Sequence, residues 1–298
     1  MRLLARGPVL TRLRVEPPPP APGRDGIALV AIMRNEARHA GEWAAFHREA
    51  GVGHLYLYDD GSTDGTVEIV RTLMPETTVI PWAQRFTSAR DGWMGAARVH
   101  NQIAAYVHAA VNFGARWRWM ACLDADEFMV PTGASTLPDA LAGLDVPNVS
   151  LPWHMFGRGG HAAAPEGGTV LGFTMRARDP MDPARGASGF KCLFDPCALS
   201  VAAVHEMRTD GDRTWNDAGQ EATFSSRRDP AFLSTARVQL NHYYTRSAAD
   251  LEAKLSRGSN LADPAYRRRV MRTVSAIERD EVEDSVAVDW WAARRPAL

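Results

Sequence analysis

The stretch WMACLDADEF, residues 119–128, is the clearest indication of both fold and chemistry in this chain. Its first five residues are apolar, which is typical of a strand buried on both faces of a sheet. Asp124 and Asp126 follow directly, with one residue between them. Two carboxylates at this spacing can bind one hard divalent cation through their oxygen atoms. Such a cation would neutralise a diphosphate leaving group as its bond breaks.

Upstream of this stretch, apolar strands alternate with amphipathic helices. We predict strands at 27–32, 54–58 and 78–80, and helices at 36–50, 66–73 and 95–113. This alternation is typical of a mostly parallel sheet with right-handed crossovers and flanking helices. Ligands of such sheets bind at the carboxyl ends of the strands, where the polar clusters of this chain fall. The sequence therefore predicts an α/β fold in a single domain.

Downstream of Pro131 the pattern is less regular. We predict short strands at 149–153, 170–175, 190–194, 199–204 and 238–244, and helices at 248–255, at 265–278 and from 282 onward. The polar residues 207–230 are predicted to form a mobile loop, of the kind that can close over a bound ligand. Four consecutive prolines, Pro17–Pro20, indicate an extended N-terminal tail.

These patterns predict the domain boundaries. A Pro-rich tail covers residues 1–25, a single domain covers 26–290, and a C-terminal tail covers 291–298. Within the domain, the half at 26–130 is expected to bind a nucleotide. The half at 131–290 is expected to shape the acceptor site.

Composition excludes several classes of protein. A net charge of -1 over 298 residues gives no bulk attraction to nucleic acid. The three cysteines form no metal or disulfide framework. Neither a transmembrane span nor a signal peptide is found, so we expect a cytoplasmic protein. A peripheral membrane contact stays open because of Trp290-Trp291 and Arg294-Arg295 near the C-terminus. Packing of the two tryptophans in the core is an alternative explanation.

Two further motifs follow the first two predicted strands. Met33-Arg34-Asn35-Glu36 comes after the first, where helix capping is an alternative explanation. DDGSTDGT, residues 59–66, comes after the second. Asp64 fits a helix cap, but Asp59 at a strand end is suited to accept from a base or ribose hydroxyl. Neither motif is a dinucleotide fingerprint or a P-loop, so oxidoreductases and P-loop NTPases are disfavoured.

Together these motifs resemble the nucleotide-sugar-dependent glycosyltransferases of the GT-A (Rossmann-like) fold, of the family 2 type with a D-x-D motif. More specifically, the chain resembles family 92 over roughly residues 27 to 290. The residues that carry this resemblance are Asn35-Glu36, Glu42-Trp43, His47, Tyr58-Asp59, Asp124–Phe128, Trp153, Phe156-Gly157, Lys191, Val204-His205, Asn241–Tyr244, Ser247 and Lys254. Their order and spacing are more specific than any one of them.

The resemblance implies a metal-dependent, inverting hexosyltransferase that acts in glycan or polysaccharide synthesis. It would move a sugar from a UDP-sugar, or another nucleoside-diphosphate donor, to a hydroxyl of a glycan or other acceptor. The residues implied in donor binding are Met33, Arg34, Asn35, Glu36, Asp59, Arg98, Asp124 and Lys191. Asp124 and Asp126 would hold Mn or Mg, with His205, or else His242, as a third ligand. Trp153 and His154 are candidates for contact with the sugar.

Several assignments stay open at this point. Trp153 and the histidines are also explained by core packing, and Lys191 by a place on the surface. No motif fixes the catalytic base, for which Asp217, Glu221 and Glu206 are weak candidates beside Asp182 and Asp210.

Three alternative functions are weighed against the transferase. A nucleotidyltransferase would place a Gly-rich basic loop at residues 33–36, which is absent. A non-catalytic nucleotide- or sugar-binding protein of the same fold stays open. A glycoside hydrolase needs two carboxyl groups about 5 to 10 Å apart across the scissile bond, which Asp124 and Asp126 fit poorly.

Overall fold

The computed structural model describes residues 9–88, 97–183, 188–257 and 265–294. Within these ranges the strands are β1 Val9–Leu10, β2 Arg12–Arg14, β3 Ile27–Met33, β4 His54–Asp59, β5 Thr77–Pro81, β6 Arg98–Val99, β7 Trp119–Cys122, β8 Glu127–Pro131, β9 Asn148–Met155, β10 Met175–Ala177, β11 Phe190–Phe194, β12 Val201–Ala203, β13 Glu206–Arg208, β14 Arg213–Trp215, β15 Glu221–Thr223, β16 Val238–His242 and β17 Glu281–Glu283. The helices are α1 Ala37–Glu49, α2 Thr66–Leu73, α3 Asn101–Phe113, α4 Leu137–Leu141, α5 Gly168–Gly172, α6 Ala248–Arg257, α7 Tyr266–Ile277 and α8 Val286–Ala292.

The first half of the chain forms the parallel part of a ten-stranded sheet. β3 lies between β4 and β7, and β5 extends the sheet beyond β4, all of them parallel. The residues of β3 alternate between two cores: Leu29 packs with α1 on one face, and Val30 packs with α3 on the other. A strand buried on both faces explains the continuous apolar run in the sequence. The prediction of an α/β domain is confirmed here.

The second half of the sheet is antiparallel as well as parallel. β11 runs antiparallel to both β7 and β9, and β8 runs antiparallel to β16. β14 and β16 are parallel to β9. The sheet is therefore mixed, and the expectation of a mostly parallel sheet is wrong for this half. Antiparallel neighbours need only short connections, so this half lacks the regular strand–helix alternation that made the first half readable.

Three sequence-based assignments need correction. Residues 207–230 are not a loop throughout, because they contain β14, β15 and part of β13. Half of the strand expected at 170–175, residues 170–172, belongs to the short helix α5. The helix expected at 95–113 begins at Asn101, and Arg98 lies in a two-stranded pairing with Val9. The part of that expected helix at residues 95–96 lies outside the described residues.

Both termini pack on the domain where they are described, although they were predicted to be tails. β2 pairs with β12, and Arg24 forms a two-point ion pair with Asp195 at 2.5 and 2.6 Å. At the other end, Trp291 is 1% exposed and belongs to the main core, so the domain continues past residue 290. Core packing thus accounts for the tryptophan pair. In the described ranges, no helix combines the length and apolar character that a membrane span requires.

Candidate active site

The D-x-D turn lies between β7 and β8, at the carboxyl end of the parallel strands. The hydrogen bond from Glu127 N to Asp124 O closes the turn at 3.1 Å. Two later segments hold it from outside. Tyr243 N donates to Asp126 O at 2.8 Å, and Arg246 Nη2 donates to Ala125 O at 2.7 Å. The turn is therefore fixed by residues that are remote in sequence.

The carboxylate of Asp124 is engaged on both oxygens. Gln102 Nε2 donates to Oδ1 at 2.6 Å, and Lys191 Nζ donates to Oδ2 at 3.1 Å. Lys191 Nζ also lies 3.2 Å from Oε2 of the fully buried Glu127, and the Lys191 side chain is 1% exposed. Lys191 on β11 is therefore buried against the turn, and a place on the surface is excluded.

The charges beneath the turn shift the pKa values of its buried members. Burial alone would lower the pKa of Lys191. The carboxylates of Asp124 and Glu127 have the larger, opposite effect and hold this pKa well above its ordinary value. Burial raises the pKa of Glu127 to about 7, against the lowering effect of Lys191. Lys191 thus keeps a fixed positive charge under the D-x-D turn.

Asp126 points the other way, toward β16 and α6. Its Oδ1 lies 3.5 Å from His242 Nε2, and its Oδ2 lies 3.3 Å from Lys254 Nζ. Burial raises the pKa of Asp126, but Lys254 and His242 hold it well below its ordinary value overall. Lys191 and Lys254 are the two lysines of the whole chain, and each contacts one aspartate of the motif.

The Trp153 ring lies between the two candidate histidines. Its centroid is 5.1 Å from that of His205 and 4.6 Å from that of His242. Nδ1 of the exposed His205 donates to Phe190 O at 3.2 Å, which leaves Nε2 unprotonated. Because Phe190 precedes Lys191 on β11, His205 lies on the Lys191 side of the site. His242 lies on the other side, next to Asp126.

His154 does not join this group. It follows Trp153 on β9, so its side chain leaves the strand on the opposite face. Burial, together with the nearby Arg176, lowers the pKa of His154 to about 4. The structure therefore does not bring the two residues expected at the sugar into one place.

The loops after β3 and β4 bind each other. Asn35, at φ +54°, accepts a hydrogen bond from Thr63 N at 2.9 Å. Asp64 Oδ2 accepts from Ala37 N at 3.0 Å, and Asp59 Oδ1 accepts from Ser62 N at 3.0 Å. These contacts fix the predicted nucleotide-binding segment in one shape at the strand ends. Arg98 is exposed on β6, four residues before the Gln102 that contacts Asp124.

The structure does not bring the three candidate bases to the D-x-D turn. Asp217 is 1% exposed and accepts from Arg237 N and Val238 N, at the end of β16 opposite to His242. Glu221 lies on the edge strand β15, 3.4 Å from Arg213. Glu206 forms ion pairs with Arg12 and Arg208. Asp182 pairs with Arg279, and Asp210 pairs with Arg213.

Three residues that shape this site could not be recognised from the sequence: Gln102, Arg246 and Arg227. Arg246 has a positive φ of 48° and is nearly buried against the turn. Arg227 is buried between the rings of Phe190 and Phe224, at 4.3 and 4.7 Å from their centroids, and donates to His205 O at 2.9 Å. In a chain whose basic residues are nearly all arginines, nothing in the sequence distinguishes these two arginines.

The residues of this site lie within a stretch that matches a known protein family. The sequence model of glycosyltransferase family 92 matches residues 35–274, which include the D-x-D turn, both lysines and both histidines. The chain belongs to glycosyltransferase family 92. This match confirms the resemblance to family 92 and the prediction that the chain belongs to a glycosyltransferase family.

Three relatives that carry the family 92 name are plant proteins. A family 92 protein of Oryza sativa subsp. japonica is 28% identical over 65% of this chain and 31% of its own length. One from Ricinus communis is 28% identical over 66% of this chain and 35% of its own length. One from Arabidopsis thaliana is 26% identical over 61% of this chain and 30% of its own length. The chain thus spans about a third of the length of these relatives.

Among solved structures, the crystal structure of S. aureus TarS aligns with a TM-score of 0.29 and 18% identity. The alignment covers 49% of this chain and 25% of that one. A likeness of this degree carries no argument about fold or function.

Proposed function

We propose that this chain is an inverting, metal-dependent glycosyltransferase that moves a hexose from a UDP-sugar to a hydroxyl of a glycan or other acceptor. The observation that carries the proposal is the D-x-D turn at the carboxyl end of the parallel strands of a mixed sheet, in a family 92 chain. Ligands of such sheets bind at this edge. The cationic side chains around the turn suit a diphosphate, which carries several negative charges.

The residues at Asp126 fit a divalent metal. Asp126 Oδ1 and His242 Nε2 are 3.5 Å apart, and Nδ1 of the buried His242 has no hydrogen-bond partner among the described residues. No group of three His, Cys, Asp or Glu side chains in those ranges is arranged to hold a metal. Two protein ligands suffice where substrate phosphates complete the coordination, as is usual for Mg²⁺.

We therefore assign the metal, Mn or Mg, to Asp126 and His242. His205, on the Lys191 side, is not assigned as a ligand. When bound, the metal neutralises charge that develops on the leaving diphosphate. Asp124 has a different role, because Gln102 and Lys191 already engage both of its oxygens. Its side chain is 37% exposed, and we assign to Asp124 the role of accepting a hydrogen bond from a ribose hydroxyl.

The remaining donor contacts follow from the loops after β3 and β4. The segment 33–36 and Asp59 form one rigid edge, which is preorganised for a nucleoside. Lys191 supplies a buried positive charge beneath the diphosphate and does not need to move. Trp153, partly exposed between the two histidines, offers an aromatic face to the sugar.

Proton NMR of the reaction with UDP-hexoses and a panel of sugar acceptors tests the proposal. We expect loss of the donor anomeric signal and a product of opposite anomeric configuration. Asp126→Asn should abolish turnover while the protein stays folded. Asp280→Asn, which changes an exposed aspartate paired with Arg178, should leave turnover unchanged. Donor binding with neither transfer nor slow hydrolysis would contradict an enzymatic role and favour a binding protein.

A further inference from the structure

The two lysines at the D-x-D turn differ in their freedom to move. Lys191 is 1% exposed and is held between Asp124 and Glu127. Lys254 is 22% exposed and extends from α6 across the Tyr244 ring, with Nζ 3.9 Å from the ring centroid. Its other contacts are Asp126 Oδ2 at 3.3 Å and Tyr244 O at 2.8 Å. Lys254 can therefore swing on its flexible stem, whereas Lys191 is fixed.

Lys254 occupies the carboxylate that the proposed metal needs. One oxygen of Asp126 faces His242, and the other faces the ammonium of Lys254. A divalent cation on Asp126 would carry the same sign of charge as that ammonium. At such short range like charges repel strongly, unless an anion lies between them. The donor diphosphate is an anion of suitable charge, and it has to lie beside the metal.

We propose that Lys254 is a diphosphate-binding residue that exchanges partners, leaving Asp126 when the metal and the nucleotide bind. This inference rests on the proposed function. An ammonium has three donors and a compact charge, which suit phosphate oxygens. Without nucleotide, Lys254 competes with the metal for Asp126. With nucleotide, it binds the diphosphate and releases the carboxylate.

This exchange makes the binding of metal and nucleotide cooperative. Each ligand relieves the repulsion or the competition that the other meets, and the coupling has to be reciprocal. Couplings between two ligands are typically about 5- to 150-fold in affinity. Removal of the Lys254 charge should strengthen metal binding in the absence of nucleotide, weaken nucleotide binding, and reduce the coupling between them.

Equilibrium binding to the full chain, without any acceptor, tests this inference. Mn²⁺ affinity is measured by electron paramagnetic resonance of the free ion with and without UDP, and UDP affinity by calorimetry with and without Mn²⁺. The variants are Lys254→Met, which keeps the length of the side chain, and Lys254→Arg, which keeps the charge. Arg267→Met is the matched control, because it removes a positive charge from the neighbouring α7 at a residue 66% exposed and paired with Glu252.

We expect Lys254→Met to bind Mn²⁺ alone at least about fivefold more tightly and UDP at least about fivefold more weakly. Lys254→Arg should retain most of the UDP affinity, and Arg267→Met should match the parent protein. Unchanged UDP affinity in a folded Lys254→Met variant would overturn the inference. Loss of UDP affinity in that variant, with no Mn²⁺ bound by any of the proteins, would support the diphosphate role of Lys254 and overturn the metal in the proposed function.

Discussion

Nε2 of His242 faces Oδ1 of Asp126 at 3.5 Å, although the two residues lie in distant parts of the sequence. The register of β16 against β8 causes this contact, because His242 pairs with Glu127, the neighbour of Asp126. β16 is also parallel to β9, and that pairing brings Trp153 beside His242. The candidate site is therefore assembled by the antiparallel half of the sheet against a turn of the parallel half.

Gly189 controls the position of Trp153. A Cβ at residue 189 would overlap the six-membered part of the Trp153 ring. We expect Gly189→Ala to displace this ring from between the two histidines and to lower kcat about tenfold or more, since such displacements reduce catalysis strongly. Steady-state kinetics, with near-ultraviolet circular dichroism to monitor the tryptophan, measures this effect.

Gly211→Ala is the control for that substitution. Gly211 has φ +57°, and nothing lies within 4 Å of the Cβ that alanine would add. This change should cost about 1 kcal/mol of stability and leave kcat unchanged. Equal activity of the Gly189→Ala and parent proteins would show that the position of Trp153 does not matter for transfer.

His47 should make stability depend on pH. Burial lowers its pKa to about 3, although the hydrogen bond from Nδ1 to Trp43 O acts in the opposite direction. The neutral ring accepts from Met129 N at Nε2. The unfolded state has the ordinary pKa of about 6.5. The pKa is depressed on folding, so the contribution is complete above about pH 6.5 and is lost as the pH falls toward 3.

The loss should reach about 2 kcal/mol at pH 5, because each pKa unit corresponds to about 1.36 kcal/mol. Urea unfolding of the parent and of His47→Gln between pH 5 and 7.5 measures it as a difference in slope. His47→Gln is less stable at neutral pH, but it should lack this part of the pH dependence. Parallel curves for the two proteins would contradict a neutral, buried His47.

The three candidate bases should not behave as a catalytic base. Glu221→Gln and Glu206→Gln change residues in exposed or peripheral ion pairs, so turnover should fall by less than about threefold. Asp217→Ala should instead lower stability by about 1–3 kcal/mol, because two buried backbone N–H groups lose their acceptor. Turnover at saturating substrate and urea midpoints distinguish the two effects. A loss of more than about a thousandfold in any one of the three folded variants would identify it as the base.

Arg227 should not tolerate replacement by lysine. Its guanidinium donates to Ser150 Oγ at 2.7 Å and to His205 O at 2.9 Å, between two phenylalanine rings. An ammonium lacks this planar fork, so we expect Arg227→Lys to lose about 1–3 kcal/mol of stability. Arg228→Lys, at the exposed neighbouring position, is the control and should be within about 0.5 kcal/mol of the parent. Similar urea midpoints for both variants would contradict a structural role for Arg227.

The strands and helices of the parallel half could be predicted from the sequence, because each of them is marked by a local pattern of residues. Residues 27–32 are apolar without interruption, and helix α1 is followed by Gly51, whose φ is +87°. The motifs at 33–36, 59–66 and 124–126 then follow strand ends, as the rule for such sheets requires. Family membership could be inferred for the same reason, since these motifs have a fixed order.

The antiparallel half and the partners of the aspartates could not be read in this way. Strands of three residues, such as β14 and β15, are too short to show alternation, so a polar segment was interpreted as a loop. The contacts of Lys254 and His242 with Asp126 depend on strand register and on the packing of α6, which no local pattern encodes. Gln102 contacts Asp124 from a helix on which any polar residue would look like solvent-facing surface.

Thermal unfolding with UDP tests whether the D-x-D turn binds a nucleoside diphosphate together with a metal. We expect UDP and Mn²⁺ together to raise the midpoint of the parent protein. A ligand at a hundredfold excess over its Kd stabilises the folded state by about 2.7 kcal/mol. The shift should vanish without Mn²⁺ and in Asp126→Asn, and persist in Asp280→Asn. An equal shift in Asp126→Asn, or no shift with any nucleoside diphosphate, would contradict a donor site at this turn.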